Sequence, residues 1–146
     1  IWSKPNPMPE SMKAPCTNSH EYVFLLSKNK RYYFDVETFK EPTVDGASMK
    51  RKKSVWTVQP KPYKGAHCAV YPRELIEPAI LAGSEEGDII LDPFMGSGTT
   101  ASVAKSMKRD YIGCELHHDY DELIQQRLEA VSETPLQSPT SILNHL

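Results

Sequence analysis

An apolar run, a carboxylate and two glycines follow one another in Asp88-Ile89-Ile90-Leu91-Asp92-Pro93-Phe94-Met95-Gly96-Ser97-Gly98-Thr99-Thr100. A short buried strand that breaks into a Gly-x-Gly turn and then starts a helix is the layout of a nucleotide-type cofactor site. The turn lets a ligand approach the backbone, and the helix start offers free N–H groups. Many α/β proteins use the same layout without binding anything, so the surrounding residue types decide. A phosphate-gripping loop needs a lysine after its second glycine, and Thr99 and Thr100 stand there instead. A dinucleotide fingerprint needs a third glycine to seat helix on strand, and the next one is Gly113. Asp92, at the strand end, would repel a pyrophosphate and attract an ammonium. A cofactor that carries an amino acid, S-adenosylmethionine, fits that charge pattern.

The second half of such a site follows at the expected distance. Tyr111-Ile112-Gly113-Cys114-Glu115 reads as another short buried strand ending in a carboxylate. Roughly twenty residues past the glycine turn is where an acidic side chain takes ribose hydroxyls, so Glu115 is the candidate ribose ligand. Between the two strands Thr100, Val103, Ala104 and Met107 recur at i, i+3, i+4 and i+7, which predicts an amphipathic crossover helix over residues 99–108. The expected unit is β-α-β.

These residues resemble the cofactor motif of DNA methyltransferases that modify exocyclic amino groups. The resemblance rests on residues 91–100, on Ile112-Gly113-Cys114-Glu115-Leu116, and on the aspartate and tyrosine at 119 and 120. Upstream, Ile1-Trp2-Ser3-Lys4-Pro5-Asn6-Pro7-Met8-Pro9-Glu10-Ser11, residues 19–28 (Ser-His-Glu-Tyr-Val-Phe-Leu-Leu-Ser-Lys) and Gly65-Ala66-His67-Cys68-Ala69-Val70-Tyr71-Pro72 are similar to further segments of that family, so the likeness runs to about residue 130. The order is that of the permuted, β-type members, in which a catalytic region precedes the recognition segment and the cofactor loop comes last. The implied fold is a Rossmann-like α/β methyltransferase fold, incomplete, with a β-hairpin and loop recognition segment. The implied cofactor is S-adenosylmethionine. Asp92, Pro93, Phe94, Gly96, Ser97, Gly98 and Thr99 would form its methionine and glycine-loop side, and Glu115 its ribose side. Leu116 and Tyr120 would border the adenine, and His67, Cys68 and Ala69 would line the methionine side. Trp2, Asn6, Pro7 and Pro9 either edge the flipped-base pocket or form a proline-stiffened loop.

The family's catalytic tetrapeptide, Asp, Asn or Ser followed by Pro-Pro and Tyr or Phe, is found nowhere in the 146 residues. Asp92-Pro93-Phe94 does not replace it, because the resemblance places that segment at the cofactor. An exocyclic amine has its lone pair delocalised into the ring, and the missing motif supplies the acceptors that localise it. Methyl transfer otherwise depends on holding two reactants in line, and the base must first leave the stack. The expectation is therefore a C-terminal part of a longer enzyme, with no catalytic residue of its own. Its partners would be duplex DNA and a missing N-terminal half or complementary chain, with homodimerisation as the other way to cover an exposed sheet edge. The base is left open between adenine and cytosine. Two other classes would keep the loop: a methyltransferase of a non-DNA substrate, and a binding module without catalysis.

A net charge of −2 argues against a uniformly basic nucleic-acid binder. The distribution says more. Lys28, Lys30 and Arg31 cluster at one strand end, and Lys50-Arg51-Lys52-Lys53 form a run flanked by Lys61 and Lys64, so residues 28–64 are locally basic. Such a run is ordinarily a solvated loop; the resemblance places it in the target-recognition region, where it would neutralise phosphates. No long apolar run or secretory leader is visible, and the expectation is a cytoplasmic chain with no membrane segment. Cys16, Cys68 and Cys114 fit neither a zinc site nor a disulfide framework, and Cys114 is expected to be a buried thiol. His117 and His118 are adjacent and point apart, so no metal is expected.

The organisation read from these signals is residues 1–64 for late catalytic-domain strands and the recognition segment, 65–132 for the cofactor-binding half, and 133–146 for a polar tail. Residues 21–27 and 31–35 read as two strands joined in a hairpin by Lys28-Asn29-Lys30, and 36–54 as a mobile recognition loop. Residues 54–58 read as a further strand. Residues 73–82 predict a helix that Pro78 kinks and Gly83 ends. Residues 118–132 predict another, with Asp119 and Glu122 at its capped start.

Overall fold

The computed structural model describes residues 1–7, 16–60 and 70–131. The chain divides into two compact units, Ile1–Glu85 and Glu86–Leu146. His67, Cys68 and Ala69 lie outside the described residues, as do Lys61 and Lys64.

In the first unit, β1 (Trp2–Ser3) is the middle of a three-stranded sheet, antiparallel to β2 (His20–Glu21) and parallel to β5 (Trp56–Thr57). The Trp2 indole is buried, and its Nε1 donates to the Val58 carbonyl at 2.8 Å, so the polar edge of a large apolar ring is satisfied. Lys4 pairs with Glu21 and lies over the Trp2 ring. The helix α1 (Arg73–Gly83) carries Pro78 inside it, and Ile80 and Ala82 are its buried residues. Its end is set by partners for its carbonyls. The Ser84 hydroxyl donates to Ile80 O at 2.6 Å, and the Asp35 amide donates to Ala82 O at 2.8 Å. Ser84 is extended, so the left-handed glycine stop expected at Gly83 is not the device used.

The hairpin expected over residues 21–35 does not form. Beyond Glu21 the chain from Tyr22 to Leu26 has no ladder partner among the described residues, and all five side chains are exposed. An apolar run on both faces suits a strand covered on both sides, and nothing described covers this one. A hairpin occurs instead where a mobile loop was expected. Strands β3 (Lys40–Pro42) and β4 (Met49–Arg51) pair antiparallel, with Lys40 opposite Arg51 and Pro42 opposite Met49. Its loop closes around Thr43 and Asp45. Thr43 N donates to Ser48 O at 2.9 Å, Asp45 Oδ1 accepts from the Thr43 hydroxyl and the Ala47 amide, and Gly46 takes φ +69°. Those two bonds also hold the Asp45 carboxyl below its usual pKa, the Thr43 hydroxyl contributing most.

The second unit is the expected β-α-β. Strands β6 (Ile89–Asp92) and β7 (Asp110–Gly113) run parallel, with Leu91 beside Ile112 and Asp92 beside Gly113. The connecting helix α2 (Thr99–Ser106) packs on both strands, with Val103 and Ala104 fully buried, and α3 (Asp121–Ala130) packs on α2. A single turn of 3-10 helix, His118–Tyr120, leads into α3. Asp119 and Glu122 make no side-chain cap at the α3 start. Met95, Ala101, Ile124 and Leu128 form the core cluster, with Tyr111 and Tyr120 against it. Lys108 is left-handed at φ 59°, which ends α2 with Arg109 N donating back to Ala104 O at 2.9 Å. Alternation along the strands puts Ile90 and Tyr111 on the half-buried face. The opposite face carries Ile89, Leu91 and Ile112, each between 53% and 64% exposed.

Candidate cofactor site

The glycine loop is tied to both strand ends by backbone. At the close of β6, Asp92 O accepts from Cys114 N and Asp92 Oδ1 from Phe94 N, at 2.9 and 3.0 Å. Met95 N donates to Cys114 O at 2.9 Å, and Gly98 N to Met95 O at 3.0 Å. Gly96 and Gly98 take φ +53° and +80°, which L side chains adopt at a cost. The two glycines have different neighbours. A Cβ on Gly98 would meet Ile124 at 3.3 Å, so this glycine lets α3 approach the start of α2. A Cβ on Gly96 would meet nothing within 4 Å, so the backbone there is open to an incoming group.

Glu115 reaches back over that opening. Its Oε2 accepts from Gly96 N at 2.8 Å, while Oε1 accepts from Leu116 N and His117 N at 2.9 Å each. The His117 amide contributes most to holding the Glu115 carboxyl below its usual pKa. Partial burial opposes it, and the amides of Gly96 and Leu116 and the charge of His117 add to it. A carboxylate offers about four lone-pair sites, so after these three bonds about one remains, on Oε2.

The other named residues fall in two groups. Ser97 and Thr99 are buried at the loop's base, and Arg127 of α3 donates from Nη1 to Thr99 Oγ1 at 2.7 Å. Phe94 and Leu116 stand out on the loop, 88% and 86% exposed. Pro93 forms the turn between Asp92 and Phe94 and is exposed. Tyr120 is half-buried against the core cluster with its ring T-shaped to that of His117, so packing accounts for most of its surface. Cys114 is exposed, contrary to the buried thiol expected, because β7 ends at Gly113. The sequence reading missed Arg127, which had looked like one more position of an amphipathic helix. It also missed the pairing of Met95 with Gly113. A Cβ on Gly113 would stand 1.5 Å from Met95 Cε.

Of the basic residues, Lys28, Lys30 and Arg31 are exposed after the unpaired apolar run. In the hairpin, Lys50 lies 3.8 Å from Glu41 on the opposite strand, and Lys40 pairs with Glu37 at 2.6 Å. Arg51 and Lys53 are exposed, and Lys52 lies over the Trp56 ring, 5.7 Å from its centroid.

A parallel strand pair, a left-handed glycine loop and an acidic residue at the next strand end define a Rossmann-like fold of the methyltransferase kind. Residues 1–126 match the family described as DNA methylase, the N6/N4 methyltransferases, and the chain belongs to that family. It is 46% identical over 129 residues to the type II methyltransferase M.SmaI of Serratia marcescens, covering 88% of this chain and 44% of that protein. It is 39% identical to the type II methyltransferase M2.DpnII of Streptococcus pneumoniae, covering 91% and 51%. The chain thus spans about half the length of these relatives. Among solved structures, the complex of M1.HpyAVI with S-adenosylmethionine matches with a TM-score of 0.50 at 26% identity, covering 87% of this chain and 58% of that one. The cytosine-N4-specific PvuII DNA methyltransferase matches in fold with a TM-score of 0.57 at 23% identity, covering 73% and 42%. No helix among the described residues is long and apolar enough to cross a membrane.

Proposed function

We propose that this chain is the recognition and cofactor-binding part of a DNA methyltransferase. The whole enzyme moves a methyl group from S-adenosylmethionine to the exocyclic amino group of adenine or cytosine in duplex DNA, in the bacterial cytoplasm. The observation that carries the reading is the loop of residues 92–99. It is held at both strand ends, open over Gly96 and crossed by the Glu115 carboxylate.

The residues present fit the cofactor. Asp92 places a carboxylate at the strand end for the ammonium of the methionine moiety. Gly96 leaves room for approach to the backbone, and the remaining Oε2 lone pair of Glu115 accepts one ribose hydroxyl. Phe94 and Leu116 supply exposed apolar surface for a flat adenine, and Ser97, Gly98 and Thr99 hold the loop in shape. His67, Cys68 and Ala69, which the resemblance assigns to the methionine side, lie outside the described residues. When bound, the cofactor supplies an electrophilic methyl group. This chain's residues bind and orient it and leave the base to be held by a complementary N-terminal portion carrying the Pro-Pro tetrapeptide.

A parallel sheet is ordinarily covered on both faces, and among the described residues Ile89, Leu91 and Ile112 stay more than half exposed on one face of this pair, a surface such a portion would cover. Titration calorimetry with S-adenosylmethionine tests the cofactor assignment. The chain is expected to bind it, and Asp92→Ala to weaken binding at least tenfold. Equal affinity in the two proteins would refute the assignment.

A further inference from the structure

The first unit holds a second place where chemistry gathers, apart from the cofactor loop. Asp35 organises it. Its Oδ1 accepts from the amides of Glu37 and Thr38 at 2.8 and 3.2 Å, and its carbonyl accepts from the Thr38 hydroxyl at 3.2 Å. This Asx-type turn reverses the chain. Phe34 before the turn and Phe39 after it therefore meet, with ring centroids 5.1 Å apart and planes at 71°. Phe39 in turn packs edge-on against Trp56 at 5.6 Å, and Tyr32 against Phe34 at 6.5 Å. The Trp56 Nε1 donates to Lys53 O at 2.8 Å, and Lys52 N to Phe39 O at 3.4 Å, so strand β4's exit is pinned to the row of rings. A pocket of about 230 Å3 opens beside that row, lined by Phe34, Val36, Phe39, Arg51 and Lys52.

The lining is two aromatic rings and a valine with two cations and no carboxylate. Lys50 and Lys40 each face a glutamate, whereas no ion pair to Arg51 or Lys52 occurs among the described residues. Cations alone would suit a phosphate, and rings alone a hydrophobic side chain; the combination suits a nucleotide, whose base lies on a ring while its phosphate meets a cation. The volume falls below the about 300–1,000 Å3 usual for small-molecule pockets, which suits one base. An enzyme that extracts a base from the duplex also leaves an unpaired partner behind, so single unpaired bases arise wherever it works.

We propose that this pocket takes one unpaired nucleobase of the DNA, stacked on Phe39 or Phe34, with its phosphate held by Arg51 and Lys52. The inference rests on the DNA reading above and adds a base-binding element to it. The test measures fluorescence anisotropy of labelled 12-mers on the full chain at low salt: single-stranded oligo-dT, an abasic strand of equal length, and a duplex. Stacking is worth about 1–3 kcal/mol per base, or about 5- to 150-fold, so oligo-dT is expected to bind more tightly than the abasic strand by a factor in that range. Phe39→Leu, which keeps apolar volume without a flat ring, should remove the preference and leave abasic binding unchanged. Arg51→Ala should weaken both strands. Equal binding of dT and abasic strands, or a preference that survives in both Phe39→Leu and Phe34→Leu, overturns the pocket assignment while duplex binding leaves the DNA reading standing. Loss of all three probes in the wild-type chain overturns both.

Discussion

Replacing Gly113 by alanine tests whether the loop is held in place by a side chain as well as by backbone. The new Cβ would lie 1.5 Å from Met95 Cε, 2.8 Å from Sδ and 3.2 Å from Cβ. The thioether can rotate away, but Met95 is only 9% exposed and belongs to the cluster with Ala101, Ile124 and Leu128. Two outcomes are open to it, and both are costly. Forcing Met95 into the packed cluster costs about 1–3 kcal/mol as overpacking; turning it into solvent loses about 1.5–3 kcal/mol of burial. A destabilisation of about 2 kcal/mol is therefore expected from urea unfolding monitored by circular dichroism. Met95→Ala alone should cost about 2–5 kcal/mol. In the double variant the clash is gone, so the two losses should fall short of additive by about 1 kcal/mol or more. Because Met95 N is bonded to Cys114 O, the same substitution should also weaken binding at the loop. A loss under about 0.5 kcal/mol for Gly113→Ala, the size of an ordinary surface change, together with strict additivity, would refute the packing argument.

Three further outcomes follow from named contacts. Thr99→Val keeps the shape of the residue and removes the acceptor of the Arg127 bond; it should cost about 1 kcal/mol in unfolding, since a half-buried guanidinium regains water in part. The depressed Glu115 carboxyl stabilises the folded loop at pH values above the ordinary glutamate range. That contribution is lost as pH falls through the lower folded value. The Gly96 amide resonance should therefore shift at acid pH, below the range of an ordinary glutamate, and stay fixed in Glu115→Gln. For duplex DNA, Arg51→Ala and Lys52→Ala should each reduce the salt slope by about 1, and Lys50→Ala by less because Glu41 already faces it; equal slopes for the three would count against that distinction.

The β-α-β unit was legible because its signals are local. A short apolar run, two glycines that need positive φ and a helical spacing of small residues all act within about thirty residues, and α2 meets both strands it connects. Residues 21–54 were misread where the deciding partner is distant. Residues 22–26 carry the apolar content of a strand buried on both sides, and such a strand forms only beside neighbours. Strands β3 and β4 were hidden for the opposite reason. They are short and mostly charged, and a side-chain network through Thr43 and Asp45 sets their pairing in place of apolar alternation. Arg127 shows the limit of periodicity at the site itself. A helical spacing says which face a residue shares but not that its guanidinium will hold a threonine 28 positions earlier.

The more exposed face of β6 and β7 also has a thermal signature. Ile89, Leu91 and Ile112 are already in contact with water when the unit is folded, so unfolding hydrates less new apolar surface than chain length implies. Its heat-capacity increment should fall below the about 12–15 cal/mol/K per residue usual for globular proteins, with a correspondingly shallow denaturant slope. The stability curve is then broad, falling gently on either side of its maximum. A polypeptide that covers the face would steepen it, so the curvature of stability with temperature measures how complete the sheet is.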